Sequence, residues 1–375
     1  MNNSWWPEQL IRRQTFPAMR IKELDALRGF AAFGVFLFHF QLFDYGYLGV
    51  YLFFIISGFV IFLTANNVKT SSDFVISRFS RLYPAYWVCL ALTFLVLLAD
   101  GQGVTMKQLA YNLTMFQMFL GEKNVDGAYW SLTEELVFYV IVFGALVVGA
   151  VRRARLWGGL MLLAALGGLF LNPEVAMQKH LQDVVKYFGL FVAGIIFYQV
   201  YIGQKLKPAH GIGLLLCLAI TTQYTFGKHL SYYNHTVEAV LIAACFGVFG
   251  LLVAGKLQFL SRYKWALFMG EISYPFYLLH QEIGLAFRRL FPTDNIWAHL
   301  AIVAAIFAGI TLMAWLINYY VEHQVSRSVK MQLRAWNRSV SGALPFSRKG
   351  TVPLPNDAAA ALAPEDVRTE EALTT

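Results

Sequence analysis

The sequence predicts an all-α integral membrane protein with about ten transmembrane helices. Of its 375 residues, 58% are hydrophobic and only 14% are charged, whereas soluble domains carry about a quarter charged residues. The hydrophobic residues form runs of roughly 17 to 25, the length that an α-helix needs to cross about 30 Å of hydrocarbon. Because these runs are continuous and do not alternate with polar residues, they favour helices over the strands of a membrane barrel.

The predicted spans follow one another with short connections. In chain order they cover residues 24–43, 47–65, 82–99, 129–150, 156–171, 186–203, 210–226, 236–255, 266–288 and 297–321. Most of the 30 Lys and Arg residues lie in alternate connections and in the two terminal segments. The positive-inside rule therefore predicts that both termini are cytoplasmic. The formal charge of +8 is spread over these loops, so nucleic acid is not an expected partner.

Three parts of the chain differ in composition. Residues 1–20 form a polar, basic cytoplasmic segment, and residues 21–325 form the transmembrane domain. Residues 326–375 are expected to be a cytoplasmic, largely disordered tail, since their later part is rich in Pro, Ala and charge. The outer loop 100–128 has an amphipathic stretch around 106–120 that is expected to lie in the membrane interface.

The first span carries two ionisable residues, Arg28 and His39. Such a residue costs about 2.5 to 3.5 kcal/mol to insert, so it is expected to have a partner or a function. On a helix, eleven positions place the two side chains about 16.5 Å apart along the axis and about 20° apart around it. With a cytoplasmic N-terminus, Arg28 lies near the inner surface and His39 in the outer half. Arg28 alone is also explained as an anchor that reaches the lipid headgroups.

The stretch "SRFSRLYPAYW" adds two arginines at the cytoplasmic entry to the third span. Arg78 and Arg81 are three residues apart and share one helix face, and Pro84 is expected in the first turn of the spanning helix. Together with Arg28 they form a cluster that can bind a phosphorylated ligand bidentately. Anionic lipid headgroups are the alternative ligand.

Other polar side chains are predicted at the depth of His39. Glu135, in "AYWSLTEELVFYV", lies about two turns from the outer end of the fourth span. A carboxylate beside an imidazole would orient it and raise its basicity, as a general base requires. Glu134 projects about 100° away, and capping explains a lone glutamate near a helix start equally well. His280, on the ninth span, is either near His39 or a hydrogen-bonded packing residue.

These stretches resemble the membrane-bound acyltransferase family 3, bacterial polytopic enzymes that acylate sugars of lipopolysaccharide, exopolysaccharide and peptidoglycan. "LDALRGFAAFGVFLFH" is similar to the first-helix motif, an arginine and a histidine separated by ten residues, matched by Arg28 and His39. "GVYLFFIISGFVIF", "SRFSRLYPAYW", "YWSLTEELVFY" and "ISYPFYLLHQ" are similar to later motifs, in the expected order.

Two positions depart from the family pattern. Leu136 stands where a second glutamate often follows Glu135. After Glu322, relatives commonly have Lys or Arg and then proline, whereas this chain has His323 and Gln324. The second departure argues against a functional role for Glu322.

The resemblance implies a donor, an acceptor and a location. The donor is a cytoplasmic acyl-CoA, commonly acetyl-CoA, which is a substrate and not a permanently bound cofactor. The acceptor is a glycan or a lipid-linked sugar, and the enzyme lies among the lipids of the bacterial inner membrane as a multi-pass protein. No metal site is expected, since the histidines lack tight ligand spacing. The acyl chain, the reacting hydroxyl and the oligomeric state stay open.

The same resemblance implies roles for individual residues. Arg28, Arg78 and Arg81 are expected to hold the coenzyme A phosphates. His39 is expected either to deprotonate the sugar hydroxyl or to accept the acyl group as an acyl-imidazole, with Glu135 orienting it. The residues expected to shape the site are Tyr83, Trp130, Ser131 and His280.

Two other function classes fit intramembrane His, Glu and Arg residues. A proton-coupled transporter would use them as a relay, but it predicts internal repeats with interrupted helices, and the sequence has no such two-fold pattern. A non-catalytic scaffold, such as a subunit of a glycan export complex, would need them only for packing.

Overall fold

A computed structural model describes residues 21–172, 174–203, 206–226 and 234–343. The predictions for residues 1–20, and for the tail beyond 343, lie outside the described residues. The α-helices, in chain order, are α1 Lys22–His39, α2 Gly49–Asn67, α3 Ser71–Ala99, α4 Met106–Asn112, α5 Trp130–Val147, α6 Ala154–Gly168, α7 Ala176–Val185, α8 Phe188–Tyr201, α9 Pro208–Phe226, α10 His235–Val253, α11 Lys264–Glu271, α12 Ser273–Leu279, α13 Glu282–Leu290, α14 Ile296–Ile317 and α15 Ser326–Ala343. Short 3₁₀ helices cover Gly46–Leu48, Gly127–Tyr129, Val151–Arg153 and Gln258–Arg262, and a π-helical segment covers Asn318–Val325.

The chain forms two compact units that divide after Lys330. The first unit contains all the helices from α1 to α14. The second unit is, in its described part, the helical continuation of α15 up to Ala343. Residues 326–343, which the sequence predicted to be the start of the tail, are therefore helical.

Within the described ranges, seven helical stretches are long and apolar enough to cross a membrane. They are Gly46–Asn67, Ser71–Ala99, Gly127–Val147, Met177–Tyr201, Pro208–Phe226, His235–Val253 and Ile296–Ser339. The other three predicted spans are represented by helices that are more polar or shorter: α1 has four charged residues in its first two turns, α6 has 15 residues, and the ninth span is divided. The protein is therefore an all-helical, multi-pass membrane protein over its described residues.

Helix α3 begins earlier than the sequence predicted. Thr70 is its N-cap, and the Thr70 hydroxyl oxygen accepts a hydrogen bond from the Asp73 backbone amide at 3.1 Å. Such a cap stabilises a helix start, so the basic stretch before the apolar run is already helical. Pro84 consequently lies inside α3 and not in its first turn. The predicted position of Pro84 was wrong, while Arg78 lies on the helix as predicted.

The predicted ninth span, 266–288, is three helices, α11 to α13, and not one. Side chains bond to carbonyls of the preceding turn at both breaks. Ser273 Oγ donates to the Gly270 carbonyl at 2.8 Å, and His280 Nδ1 lies 2.7 Å from the Tyr277 carbonyl oxygen. Such local bonds compete with the helical ladder. An apolar run does not reveal them, which is why the single-helix prediction was wrong.

Glycines let neighbouring helices approach closely. Helix α2 packs extensively on α8. A Cβ atom added at Gly58 would lie 2.1 Å from the Phe191 carbonyl oxygen, and one at Gly194 would lie 2.2 Å from the Ile55 carbonyl oxygen. Only a residue without a side chain fits such contacts. Gly58 and Gly194 therefore bring α2 and α8 into close contact.

The outer loop folds back over α3. The Tyr86 hydroxyl donates to the Asn112 carbonyl at 2.7 Å, and Asn112 Nδ2 donates to the Lys123 carbonyl at 2.9 Å. Only Met106–Asn112 of the predicted amphipathic stretch is α-helical. The loop is therefore an ordered cover held by buried hydrogen bonds.

Candidate functional site

The three predicted arginines line one cavity of about 590 Å³. We call it the arginine cavity. Helices α1, α2, α3, α5, α11 and α12 and the π-helical segment contribute to its wall. Its polar and charged lining residues include Asp25, Arg28, Ser57, Arg78, Arg81, Ser131, Glu135, Tyr139, Glu271, Tyr274, Tyr277, Asn318, Glu322 and His323.

Much of the hydrogen-bonding capacity of these arginines is unused by the protein. Arg28 Nη1 lies 3.7 Å from Asp25 Oδ1, a weak ion pair. Arg78 Nη2 donates to Thr64 Oγ1 at 3.5 Å, while Arg78 Nε is buried without a partner among the described residues. Arg81 is exposed and makes no hydrogen bond or ion pair within the described ranges. A guanidinium carries five donors, so the cavity offers several to a ligand.

Glu135 lies in the arginine cavity and not beside His39. It accepts hydrogen bonds from Ser57 Oγ at 2.5 Å and from the Tyr139 hydroxyl at 2.8 Å. No hydrogen bond or ion pair of the described residues joins it to His39. Glu134 lines the cavity of His39 instead, because consecutive helical residues project about 100° apart. His39 and Glu135, which were predicted to form a pair, therefore line two different cavities.

His39 lines a second cavity of about 370 Å³, which we call the histidine cavity. Its walls are largely aromatic, and four charged side chains contribute to them. The polar and aromatic lining residues are Phe38, His39, Tyr47, Tyr51, Trp130, Glu134, Asp183, Lys186, Tyr187, Thr225, Glu238 and Tyr277. Trp130 was predicted to shape the site, and the structure places it in this wall.

His280 packs against His39. The two ring centroids are 5.0 Å apart and the ring planes are inclined by 62°. His280 is fully buried, and its Nε2 atom has no hydrogen-bond partner among the described residues. The break between α12 and α13 places this side chain against the end of α1. His280 is thus both a packing residue and a neighbour of His39.

Val50 and Tyr277 line both cavities, so the two cavities adjoin at these side chains. The Tyr277 hydroxyl lies 2.9 Å from Ser131 Oγ and donates to the Ala128 carbonyl at 3.3 Å. Ser131 itself lines the arginine cavity. Tyr277 was not among the predicted site residues, although it lies in the motif "ISYPFYLLHQ", because nothing in the sequence marks a residue between two cavities.

Tyr83 does not line either of these cavities. Its hydroxyl donates to the Thr114 carbonyl at 2.9 Å, and its ring stacks on Phe79 with 4.5 Å between centroids. Tyr83 follows Arg81 by two positions and so projects about 200° away from it around α3. The predicted shaping role is therefore corrected to one of holding the outer loop.

Glu322 lies in the arginine cavity. The departure from the family pattern after Glu322 had argued against a functional role for this residue. Its Oε2 accepts from Asn318 Nδ2 at 2.6 Å, while Oε1 is buried without a partner within the described part of the chain. Glu322 interacts electrostatically with Arg81 and Arg28. It belongs to the π-helical segment, a local geometry often found at functional sites, which no sequence pattern indicated.

Asp126 connects the start of α5 to the start of α13. Its Oδ1 accepts from the Ala128 amide at 2.8 Å, and its Oδ2 accepts from the Glu282 amide at 3.1 Å. Burial raises the pKa of Asp126 to about 7, although the two amide donors act to lower it. This carboxyl group joins the start of α5, the helix that carries Glu134, to the start of α13, two residues after His280.

Comparison with known proteins identifies the family of this chain. The model of the acyltransferase domain family Acyl_transf_3 matches residues 21–319. The chain is 27% identical over 270 residues to "Putative acetyltransferase ORF330" of Acidianus two-tailed virus, covering 68% of this chain and 80% of that protein. It is 24% identical over 248 residues to the exopolysaccharide production protein ExoZ of Rhizobium meliloti (strain 1021), covering 64% of this chain and 76% of ExoZ.

A third relative is matched over a shorter segment. It is the O-acetyltransferase OatA of Staphylococcus aureus (strain NCTC 8325 / PS 47), 31% identical over 144 residues, which is 32% of this chain and 23% of OatA. No solved structure matches this chain.

The family match covers nearly all of the helical domain, which favours an enzyme over a transporter or a scaffold. The chain is a membrane acyltransferase that belongs to the acyltransferase 3 family.

Proposed function

We propose that this protein transfers an acyl group, in particular acetyl, from acyl-CoA to a sugar hydroxyl of an exported or cell-surface glycan. The observation that carries the proposal is that a cavity with three arginines adjoins, at Val50 and Tyr277, a cavity that contains His39. In this proposal the chain crosses the bacterial inner membrane ten times with both termini in the cytoplasm. The arginine cavity then faces the cytoplasm, where acyl-CoA is present.

The arginine cavity supplies the donor site. Planar guanidinium groups bind phosphate bidentately, and Arg28, Arg78 and Arg81 retain unused donors. Glu135 and Glu322 lie within electrostatic range of these arginines, so they hold the cationic cluster together without a ligand. Glu135 is thus a positioning residue for the arginines in this proposal.

The acyl end of the donor must reach the histidine cavity. Arg28 and His39 are about 16.5 Å apart along α1, a distance that an extended pantetheine arm can cover. The arm would pass Tyr277 and Val50, where the cavities adjoin. The hydrogen bond between Tyr277 and Ser131 then lies at the boundary between donor and acceptor sites.

His39 carries the chemistry in one of two ways. As a general base it takes the proton of the sugar hydroxyl while that oxygen attacks the thioester carbonyl carbon. The C–S bond breaks, and the thiolate of coenzyme A takes the proton from the imidazolium. Alternatively, a His39 nitrogen attacks first and the thiolate leaves; the sugar oxygen then displaces imidazole from the acyl-imidazole, and its proton passes to the thiolate. Both routes give an ester and free coenzyme A.

The relatives support a glycan acceptor. ExoZ is named for exopolysaccharide production, and OatA is named an O-acetyltransferase. A hydroxyl-rich acceptor suits the histidine cavity, which combines aromatic walls with carboxylates.

The first test is transfer of label from radiolabelled acetyl-CoA into the glycan fraction of membranes. His39→Ala is expected to reduce transfer by at least about 100-fold, since a general base contributes at least that factor. His299→Ala is the matched control, because His299 lies in neither cavity. Equal labelling by the wild type and His39→Ala would refute the role of His39.

A further inference from the structure

The histidine cavity contains a buried carboxylate that the protein leaves without a hydrogen bond. Glu134 is 5% exposed and lines this cavity. No hydrogen bond or ion pair of the described residues reaches it, and its electrostatic partners are Lys186 and Asp183. A carboxylate without a protein donor retains its full capacity to accept hydrogen bonds. Glu134 is therefore placed to accept hydrogen bonds from a bound molecule.

The other charged groups in the cavity already have partners. Lys186 Nζ lies 2.6 Å from Asp183 Oδ1. Glu238 accepts from the Tyr47 hydroxyl, and its second oxygen lies 3.1 Å from His235 Nδ1. The charge of the single lysine is thus offset by that of Asp183. The two glutamates, Glu134 and Glu238, give the cavity an excess of negative charge. This charge is opposite to that of the three-arginine cluster in the neighbouring cavity.

The aromatic wall provides a flat surface beside Glu134. The rings of Trp130 and Tyr187 have centroids 5.2 Å apart and planes inclined by 30°, and Phe54 packs on both. The C–H face of a sugar ring packs on such a surface while its hydroxyls remain free for polar partners. The volume of about 370 Å³ is near the lower end of the roughly 300 to 1,000 Å³ of ligand sites. It suits one sugar unit of a longer acceptor.

We propose that the histidine cavity is the acceptor site and that Glu134 selects a sugar without an anionic group. Its carboxylate accepts hydrogen bonds from ring hydroxyls or from the ammonium of an amino sugar. A uronic acid or a phosphorylated sugar is disfavoured, because its negative charge would be buried beside three carboxylates and a single lysine. This inference rests on the proposed acyltransferase function, and it assigns the substrate class of the same site.

The test measures binding separately from transfer. The purified full chain, without acyl donor, is titrated with three oligosaccharides of equal length: a neutral glucose oligomer, a glucosamine oligomer and a galacturonic acid oligomer. We expect the neutral and amino oligomers to bind at least about tenfold more tightly than the acidic one, the scale of one charge-assisted hydrogen bond. Equal binding of all three, or preference for the acidic oligomer, would overturn the proposal.

Glu134→Gln keeps the side-chain volume and removes the charge. It is expected to reduce the discrimination against the acidic oligomer several-fold, whereas Glu174→Gln, at an exposed residue outside both cavities, leaves it unchanged. Unchanged discrimination in Glu134→Gln would show that Glu134 does not select the sugar. If binding discriminates but labelled acetyl-CoA acetylates none of the bound oligomers, the acyltransferase proposal for this site fails while the charge selection stands.

Discussion

At the level of single residues, neighbouring positions on α5 face different cavities. Trp130 and Glu134 line the histidine cavity, whereas Ser131 and Glu135 line the arginine cavity. Each pair is four residues apart, a spacing that places side chains on one helix face. Two overlapping stripes of one helix therefore serve two different sites, and a substitution at one stripe is expected to leave the other site intact.

Arg81 provides a direct test of the donor site. Arg81→Gln removes one guanidinium that makes no hydrogen bond within the described structure, so the fold is expected to persist. We expect the KM for acetyl-CoA to rise about tenfold or more with little change in kcat. The reason is that the guanidinium binds the donor phosphates equally well in the ground state and in the transition state. Steady-state kinetics with varied acetyl-CoA measure this.

The matched control for Arg81→Gln is Arg152→Gln, an exposed arginine outside both cavities. It makes the same change in charge and is expected to leave the KM unchanged. A similar KM for the wild type and Arg81→Gln would contradict the placement of the donor phosphates.

At the level of helices, the α2–α8 contact sets the position of Ser57, which holds Glu135. Backbone atoms of α8 lie where a side chain at Gly58 would be. Neither helix can rotate without separating from the other, because interiors are closely packed. The rotation of α2 therefore determines which of its side chains face the arginine cavity.

Gly58→Ala tests this contact. The added methyl group would overlap the Phe191 carbonyl, and we expect the protein to lose about 1 to 3 kcal/mol of stability. Gly144→Ala is the control, since nothing lies within 4 Å of its Cβ position and alanine favours helix. Thermal unfolding in detergent should show a lower Tm for Gly58→Ala alone; equal Tm values would contradict the close contact.

At the level of the whole molecule, the two adjoining cavities differ in their cationic groups, since three arginines line one and a single lysine lines the other. In the proposed function, the arginine cavity binds the anionic donor and the histidine cavity binds an uncharged or cationic acceptor. Because only one of the two cavities offers guanidinium donors, a phosphorylated donor is expected to prefer that cavity. With the proposed topology, the donor would enter from the cytoplasm and the acceptor from the opposite side.

Cysteine labelling tests that topology. The three native cysteines are buried, so single cysteines introduced at exposed positions report the side of the membrane. A membrane-impermeant maleimide is expected to label Glu174→Cys in intact spheroplasts and Lys256→Cys only after permeabilisation. Labelling of both residues from the same side would contradict ten spans.

Local sequence determined several properties of this protein. Composition and the length of apolar runs specified a helical membrane protein, because the bilayer itself demands such runs. Helical spacing placed Arg78 and Arg81 on one face, and the motif order indicated the family that residues 21–319 match. These properties depend on neighbours in the chain or on the surrounding solvent.

Only the tertiary structure decided which side chains meet. Spacing along α5 gives the angle between Glu134 and Glu135, but the rotation of α5 against α2 decides which of them lines the cavity of His39. The position of Tyr277 between the cavities and the contact of His280 with His39 depend on breaks in the predicted ninth span. Both features are set by packing between helices that are distant in sequence. The apolar pattern of one segment does not reveal which other segment it packs against.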